Sequence, residues 1–336
     1  MAQKQTAYDD IPYSSHPFPQ SHPDRLAAVA KLFGLNAPAV EDCRVLELGC
    51  SMGGNLIAMA QKYPGARFVG IDASSRQISE GWKVVDVLHL KNIELKQLDI
   101  LDVNDTLGEF DYVVCHGVYS WVPATVQSKL LDLCKRHLSA TGVAYMSYNT
   151  YPGWHVRGIV RDMMLYRGLQ FNDPAVRLAQ AKSLVEFVAK SSPSTDDPYR
   201  KLLQGELDVI TRSDDYYLHH DHLEENNHPV YFHEFARRLG VNGLQYLGEA
   251  DFSTMVSTWL RMLSTAAAQF SGTVRAADQF GIVGRIEQDR LSLIGQGAHG
   301  LGLFGNASEG YTLSDAERTQ LLRLIRETAG PDFPLI

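Results

Sequence analysis

Residues 45–55 read VLELGCSMGGN, an apolar run that halts in three glycines. The pattern predicts a buried strand turning into a helix, a common place for a nucleotide-like ligand. A dinucleotide fingerprint beginning at Gly49 needs glycines at 51 and 54. Gly54 is present, but position 51 is Ser51. In that fingerprint the middle glycine lets the backbone approach a pyrophosphate, so a side chain there obstructs it. A phosphate loop is excluded more simply, because no Gly-Lys-Ser/Thr follows. The turn therefore favours a nucleoside without a pyrophosphate.

Outward from this turn, β-rich stretches (CRVLELG, ARFVGID, IELKQLD, FDYVVCHG, GVAYMSY) alternate with helically spaced ones between about 43 and 148. Strands recurring between helices imply crossover connections. The expected fold class is α/β, a mostly parallel Rossmann-like sheet with helices on both faces. From 155 to 227 the strands vanish. VRGIVRDMMLYRGL, PAVRLAQAKSLVEFVAK and DPYRKLLQGELDVITRSDDYYL read as three helices, divided by the loop signal SSPSTDDP. VYFHEFARRLGVNGLQYLGEAD then reads as a helix ending near Gly240 and a strand, as if the sheet resumed. Further on, TMVSTWLRMLSTAAAQF is expected helical, RLSLIG a last strand, GQGAHGLGLFGNASEG a loose segment and SDAERTQLLRLIRETAG a capped helix. The resulting division is 1–150 for the N-terminal segment and sheet, 151–227 for a helical lid, 228–305 for the chain's return, and 306–336 for the C-terminal helix.

Composition bounds the function. The 31 basic and 39 acidic side chains give a formal charge of −8. That balance argues against a general affinity for nucleic acid, which depends on Lys and Arg displacing counterions. Cys43, Cys50, Cys115 and Cys134 form no C-x-x-C pair and read as buried thiols. The N-terminus MAQKQTAYDD has no apolar signal core, and no run of 18 apolar residues occurs. A cytoplasmic protein without membrane insertion is expected.

S-adenosylmethionine suits the turn. Its amino-acid end can accept hydrogen bonds from amides of the Gly49–Gly54 turn and the helix start. Its ribose needs an acidic acceptor at the end of the next strand, where Asp72 stands in FVGIDAS. Its adenine amino group needs another at the end of the third, where Asp99 stands in QLDI. The alternative for both aspartates is a helix cap or turn residue. Glu47 either contacts the sulfonium or orients the glycine turn. Cys50, Ser51 and Asn55 at the turn, Ala73 and Ile100 beside the aspartates, and His116 and Gly117 after the fourth strand complete the expected cofactor wall. In their order and placement, ELGCSMGGN, GIDAS, QLDI and DYVVCHGVYSWVP resemble the motifs of class I S-adenosylmethionine-dependent methyltransferases.

A sulfonium is already a good leaving group, so methyl transfer asks the protein mainly for alignment and exclusion of water. An amine acceptor must also be neutral, or meet a base. Aromatic rings suit such a site, since they shield it and attract cations. GVYSWVP supplies Tyr119 and Trp121; SYNTYPGWH supplies Tyr148, Tyr151, Trp154 and His155. Each aromatic is a substrate contact or, equally, part of a packed core. YYLHHDHLEENNHPVYFHE holds five histidines between 219 and 233. His219, His220 and His222 lack the spacing to bring three imidazoles to one helical face, so no metal is expected. His220 and Asn227 are candidate substrate contacts. Tyr148 is a candidate catalytic group, and His155 and His222 are candidate general bases.

Taken together, YDDIPYSSHPFPQSHPDRLA, ELGCSMGGN, SYNTYPGWHVRGIVRDMM and HLEENNHPVYFHEFA resemble a bacterial methyltransferase family carrying a methyltransferase regulatory domain. Its members include rickettsial protein-lysine methyltransferases that act on outer-membrane protein. The resemblance covers roughly residues 8 to 255. It implies S-adenosylmethionine as donor, a helical region beside the active site, and Tyr13 and His22 closing over the cofactor. It also implies protein lysine as the methyl acceptor. Two departures, an end at Ile336 and DQFGIVGRIEQDRLSLIGQG in place of an aromatic- and arginine-rich strand, keep a small-molecule acceptor (amine, amino acid or thioether) as the alternative. A module that binds the donor without turnover is the reading from another class.

Overall fold

In a computed structural model the structure describes residues 15–191, 194, 196–251 and 255, and the backbone of 283–287, 290–294 and 299–306. The first strand, β1 (Arg44–Leu48), is buried on both faces: Val45 and Leu46 point opposite ways and both have no exposed surface. A strand covered on both sides reads as a continuous apolar run rather than an alternation. That is why VLEL stood out in the sequence.

Around it lie β2 (Arg67–Asp72), β3 (Ile93–Gln97), β4 (Phe110–Cys115) and β5 (Leu138–Asn149). With β6 (Leu244–Glu249) and β9 (His299–Asn306) they form a seven-stranded sheet of order β3-β2-β1-β4-β5-β9-β6. Strands β1 to β5 pair in parallel, and β9 runs antiparallel between β5 and β6. Its helices are α1 (Pro23–Leu32), α2 (Gly54–Lys62), α3 (Ser75–Val87), α4 (Ala124–His137) and α9 (Phe232–Val241). One core, with Leu26, Leu56 and Phe68, fills one face; another, with Leu46, Ile71 and Leu130, fills the other. The Rossmann-like expectation thus holds, and β1 and β4 end beside each other at the glycine turn.

Between β5 and α9 the chain inserts α5 (Gly153–Gly168), α6 (Pro174–Ser191), α7 (Pro198–Arg212) and α8 (Asp215–His222). The insertion has its own core, including Val160, Met164, Val185, Leu203 and Leu218. Its exit is stitched to the end of β5: Val230 N–H donates to Asn149 O (3.0 Å) and Tyr151 N–H to Val230 O (3.1 Å).

Two expectations change. DPYRKLLQGELDVITRSDDYYL is not one helix: Ser213 is extended (φ −85°, ψ 145°), and α8 restarts behind Asp214. Serine and aspartate compete locally with helical hydrogen bonding, which favours such a break. The glycine-rich segment expected to be loose contains β9, in the middle of the sheet. Its GLGL (residues 300–303) has a period of two, masked because glycine is rare in strands. RLSLIG does form a strand, β8 (Arg290–Ile294), but it pairs with β7 (Val283–Glu287) in a separate hairpin. The helices expected in TMVSTWLRMLSTAAAQF and SDAERTQLLRLIRETAG, and Tyr13, lie outside the described residues. Among the described residues no helix is long and apolar enough to cross a membrane.

α3 lies hard against the glycine turn at Gly81, where a Cβ would stand 2.4 Å from Met52 O and 2.6 Å from Leu95 Cδ1. In a free helix Gly→Ala gains about 1 kcal/mol. Here the clash with a backbone oxygen outweighs it, since overpacking typically costs about 1–3 kcal/mol. Gly81→Ala should therefore lower the melting temperature in a thermal scan; an unchanged or raised one would contradict this packing.

Candidate active site

The turn after β1 is held in a conformation that side chains resist. Gly49 has φ +77°, Ser51 φ +54° and Gly53 φ +74°. A Cβ on Gly49 would lie 2.5 Å from Val118 Cγ2, so the close approach of the segment after β4 requires glycine there. Ser51 adopts its left-handed backbone with its N–H donating to Asp72 Oδ2 (2.8 Å) and its hydroxyl paired with Gln77 Oε1. The other oxygen of Asp72 accepts from Ser74 N–H (2.9 Å).

One expectation about this turn needs correction. Its amides do not stand free for the donor's amino-acid end. Gly49 and Cys50 N–H both donate to Ile71 O (2.9 Å each), and Gly53 N–H donates to Cys50 O (2.8 Å). Gly54 N–H, at the start of α2, donates to Ser15 Oγ (2.8 Å). Backbone carbonyls and nearby side chains take up these amides because an amide in a tight buried turn cannot be left unpaired cheaply.

One polar atom of the wall near this turn lacks a partner among the described residues, the buried carboxylate oxygen Oε2 of Glu47. Its other oxygen accepts from Asn55 Nδ2 (2.9 Å). Asn55 also donates to Ser21 Oγ (3.0 Å), and its carbonyl accepts from Phe18 N–H (2.9 Å). One side chain thus fastens the N-terminal segment to the floor of the site. Burial pushes the Glu47 carboxyl up to about 8, opposed by the Asn55 hydrogen bond and assisted by the charge of Asp72.

These residues line a cavity of about 640 Å³ at the carboxyl ends of the parallel strands, where open α/β sheets bind ligands. Gly49, Cys50, Ser51, Asn55 and Asp72 lie on its wall, as do Ala73, Asp99, Ile100, His116 and Gly117. Asp99 also caps the turn after β3, accepting from Leu101 N–H (2.9 Å). Asp72 is thus a turn residue and Asp99 a cap, and both also line the cavity. Val118, Val122 and Val126 add an apolar strip near Ile100. His116 lies under Phe18 (ring centroids 3.8 Å) and pairs with the Tyr145 hydroxyl (2.9 Å); burial lowers it to about 4, so it is neutral at physiological pH.

At the other end stand Trp121 from the turn after β4, Ser147, Tyr148 and Asn149 from β5, and Tyr217, His220, Asp221, Glu224 and Asn226 from α8 and its loop. Tyr148 stacks on Phe235 (4.0 Å), and its buried hydroxyl has no hydrogen-bond partner among the described residues. The loop is shaped by two guanidinium groups. Arg161 donates to the carbonyls of Glu224 and Glu225, and Arg177 to that of Leu223 (3.1 Å).

Several expected site residues stand elsewhere. His22 caps α1, its Nδ1 accepting from Asp24 N–H (3.2 Å). Tyr119 is fully buried, its hydroxyl accepting from Arg238 (3.0 Å). Trp154 is also buried and meets Trp121 edge-on (5.7 Å). Tyr151 stacks on the exposed His155 (4.2 Å), whose Nε2 lies 3.2 Å from the Tyr231 hydroxyl. Asn227 accepts from Asn149 Nδ2 (2.8 Å), one step behind the wall. His222 is buried off the cavity and lowered to about 4 by burial and by Arg157 and Arg161. Phe18, Gln77, Asn149, Tyr217 and Asp221 were missed. Only Asp221 had a signal: it stands among the histidines that drew the attention.

S-adenosylmethionine fits this cavity on the orphaned Glu47 oxygen, the Asp72 and Asp99 carboxylates and the glycine-dependent approach of Val118. Asp72→Ala should weaken its binding in a calorimetric titration; unchanged affinity would remove Asp72 from the site. An ionised Glu47 attracts a cation and a protonated one does not. Affinity should therefore rise with pH up to about 8, and Glu47→Gln should flatten that slope. A slope that survives the substitution would assign it to another group.

Comparison with known proteins agrees. Residues 45–142 match the family model for a methyltransferase domain, and residues 214–279 the one described as "Predicted methyltransferase regulatory domain". The uncharacterized protein RP789 of Rickettsia prowazekii is 48% identical over 248 residues, which are 74% of this chain and 45% of that protein. RP028 of the same organism is 40% identical over 69% of this chain and 93% of its own length. The structure of PKMT2 from Rickettsia typhi in complex with AdoHcy superposes with a TM-score of 0.72 at 32% identity, over 90% of this chain and 56% of that one. The chain thus spans about half the length of RP789 and PKMT2. It belongs to the S-adenosylmethionine-dependent methyltransferases that carry a methyltransferase regulatory domain.

Proposed function

We propose that the protein transfers the methyl group of S-adenosylmethionine to an amine nitrogen, with lysine side chains of a protein as acceptor. One observation supports the amine most: the charge of the cavity wall. It carries the carboxylates Asp72, Asp99, Asp221 and Glu224, beside the buried Glu47 that is protonated below about 8, and no lysine or arginine among its described residues. Such a wall draws cations in and disfavours acceptors that bear phosphate or carboxylate near the reacting atom. The likeness to PKMT2 of Rickettsia typhi supports lysine among the amines.

When bound, the donor supplies an activated methyl and a neutral thioether as leaving group. This chain's residues do the rest by placement. Glu47, Asp72 and Asp99 would hold the donor, with Ile100 and Val118 beside its nucleoside. Trp121 and Tyr148 exclude water at the far end, where fixed charges act more strongly than in bulk solvent. A lysine ammonium, ordinarily near pKa 10.4, must lose its proton before its lone pair can attack. The acidic far wall provides acceptors for that proton.

Incubation with methyl-labelled donor and a fractionated lysate, followed by acid hydrolysis of the protein fraction, tests this reading. The expected result is label in methylated lysine. Label confined to the small-molecule fraction would overturn the lysine acceptor.

A further inference from the structure

We infer that Asp221 recognises the cationic nitrogen of the acceptor, so that the α8 side of the cavity is an ammonium subsite. The inference rests on the amine reading above and assigns it a specificity-determining residue.

The geometry singles out this carboxylate. α8 presents Tyr217, His220 and Asp221, spaced i, i+3 and i+4, to the cavity. That spacing places them on one helical face. Asp221 is only 8% exposed, yet it lies on the wall. A buried carboxylate is costly unless a cation or several donors compensate it.

Its compensation within the protein is partial. The Tyr217 side chain hydrogen-bonds to it, while Arg157 and Arg161 of α5 act on it through charge. Arg161 already donates to the carbonyls of Glu224 and Glu225. Arg157 also faces Glu206 of α7 and His222. One hydroxyl cannot fill the roughly four acceptor positions of a carboxylate. Burial accordingly pushes Asp221 up to about 6.

The other carboxylates of the wall are differently placed. Asp72 and Asp99 accept backbone amides at the nucleoside end, and Glu47 lies under the N-terminal segment. Glu224 is half-buried on the loop. The same cavity holds Trp121 and Tyr148, rings of the kind that attract an ammonium group. Asp221 thus offers a desolvated negative charge in an aromatic-walled space, the complement of a lysine side-chain terminus.

The test uses n-butylammonium, which mimics that terminus, and the neutral isostere n-butanol. Each is titrated into the whole protein saturated with S-adenosylhomocysteine, with NMR shifts as the readout. The wild type should prefer the cation by about tenfold or more, and this preference should fade as pH falls through about 6. Asp221→Asn should abolish the preference while S-adenosylhomocysteine binds as before, and Asp221→Glu should restore part of it. In turnover, Asp221→Asn should raise the acceptor KM more than it lowers kcat. A wild type without cation preference, or an Asp221→Asn variant that keeps it, overturns the inference. If lysate lysines are nevertheless labelled, only the role of Asp221 fails. Label on oxygen or sulfur instead would sink the amine reading itself.

Discussion

The carboxylate of Asp72 holds two turns at once. Through one oxygen it binds the amide of Ser51 after β1, and through the other the amide of Ser74 after β2. With Ser51 in a left-handed conformation, that tie keeps the glycine turn folded back over the strand ends. Gly49 then lets Val118 come close, and Gly81 lets α3 lie against Met52. The cavity exists because these close approaches coincide at one edge of the sheet.

The two ends of the cavity treat charge differently. At the nucleoside end, Asp72 and Asp99 are anchored by backbone amides, which fixes their direction before any ligand arrives. Preorganised acceptors cost nothing to reorient on binding. Glu47 keeps one oxygen unpartnered but is oriented through Asn55, which also secures Phe18 and Ser21 of the N-terminal segment. At the far end the acids come from the helical insertion. The insertion has its own hydrophobic core and joins the sheet at Asn149 and Val230. The two ends of the cavity are thus built from separately packed parts of the chain.

The sequence disclosed what depends on local pattern. The unbroken apolar run of β1, the glycines after it and the acids ending β2 and β3 are short-range signals, and they located both the sheet and the residues that line the cavity at its strand ends. What depended on packing was hidden. Glycine masked β9, whose only alternation is the short GLGL. The histidines near 220 suggested chemistry by their residue type, yet His222 is buried off the cavity near Arg157 and Arg161 while Asp221 beside it lines the cavity. Only the phase of α8 decides between them, and that phase is reset by the break at Ser213. Likewise, nothing local showed that Ser15 would occupy the first amide of α2.

The central claim is that one cavity wall of carboxylates orders donor and acceptor, nucleoside end to ammonium end. A crystal structure of the protein with S-adenosylmethionine tests it most directly. The expected result is an adenosine between Asp72 and Asp99, with the methyl group directed toward Tyr148 and Asp221. A donor bound with its methyl directed away from α8 would contradict the account.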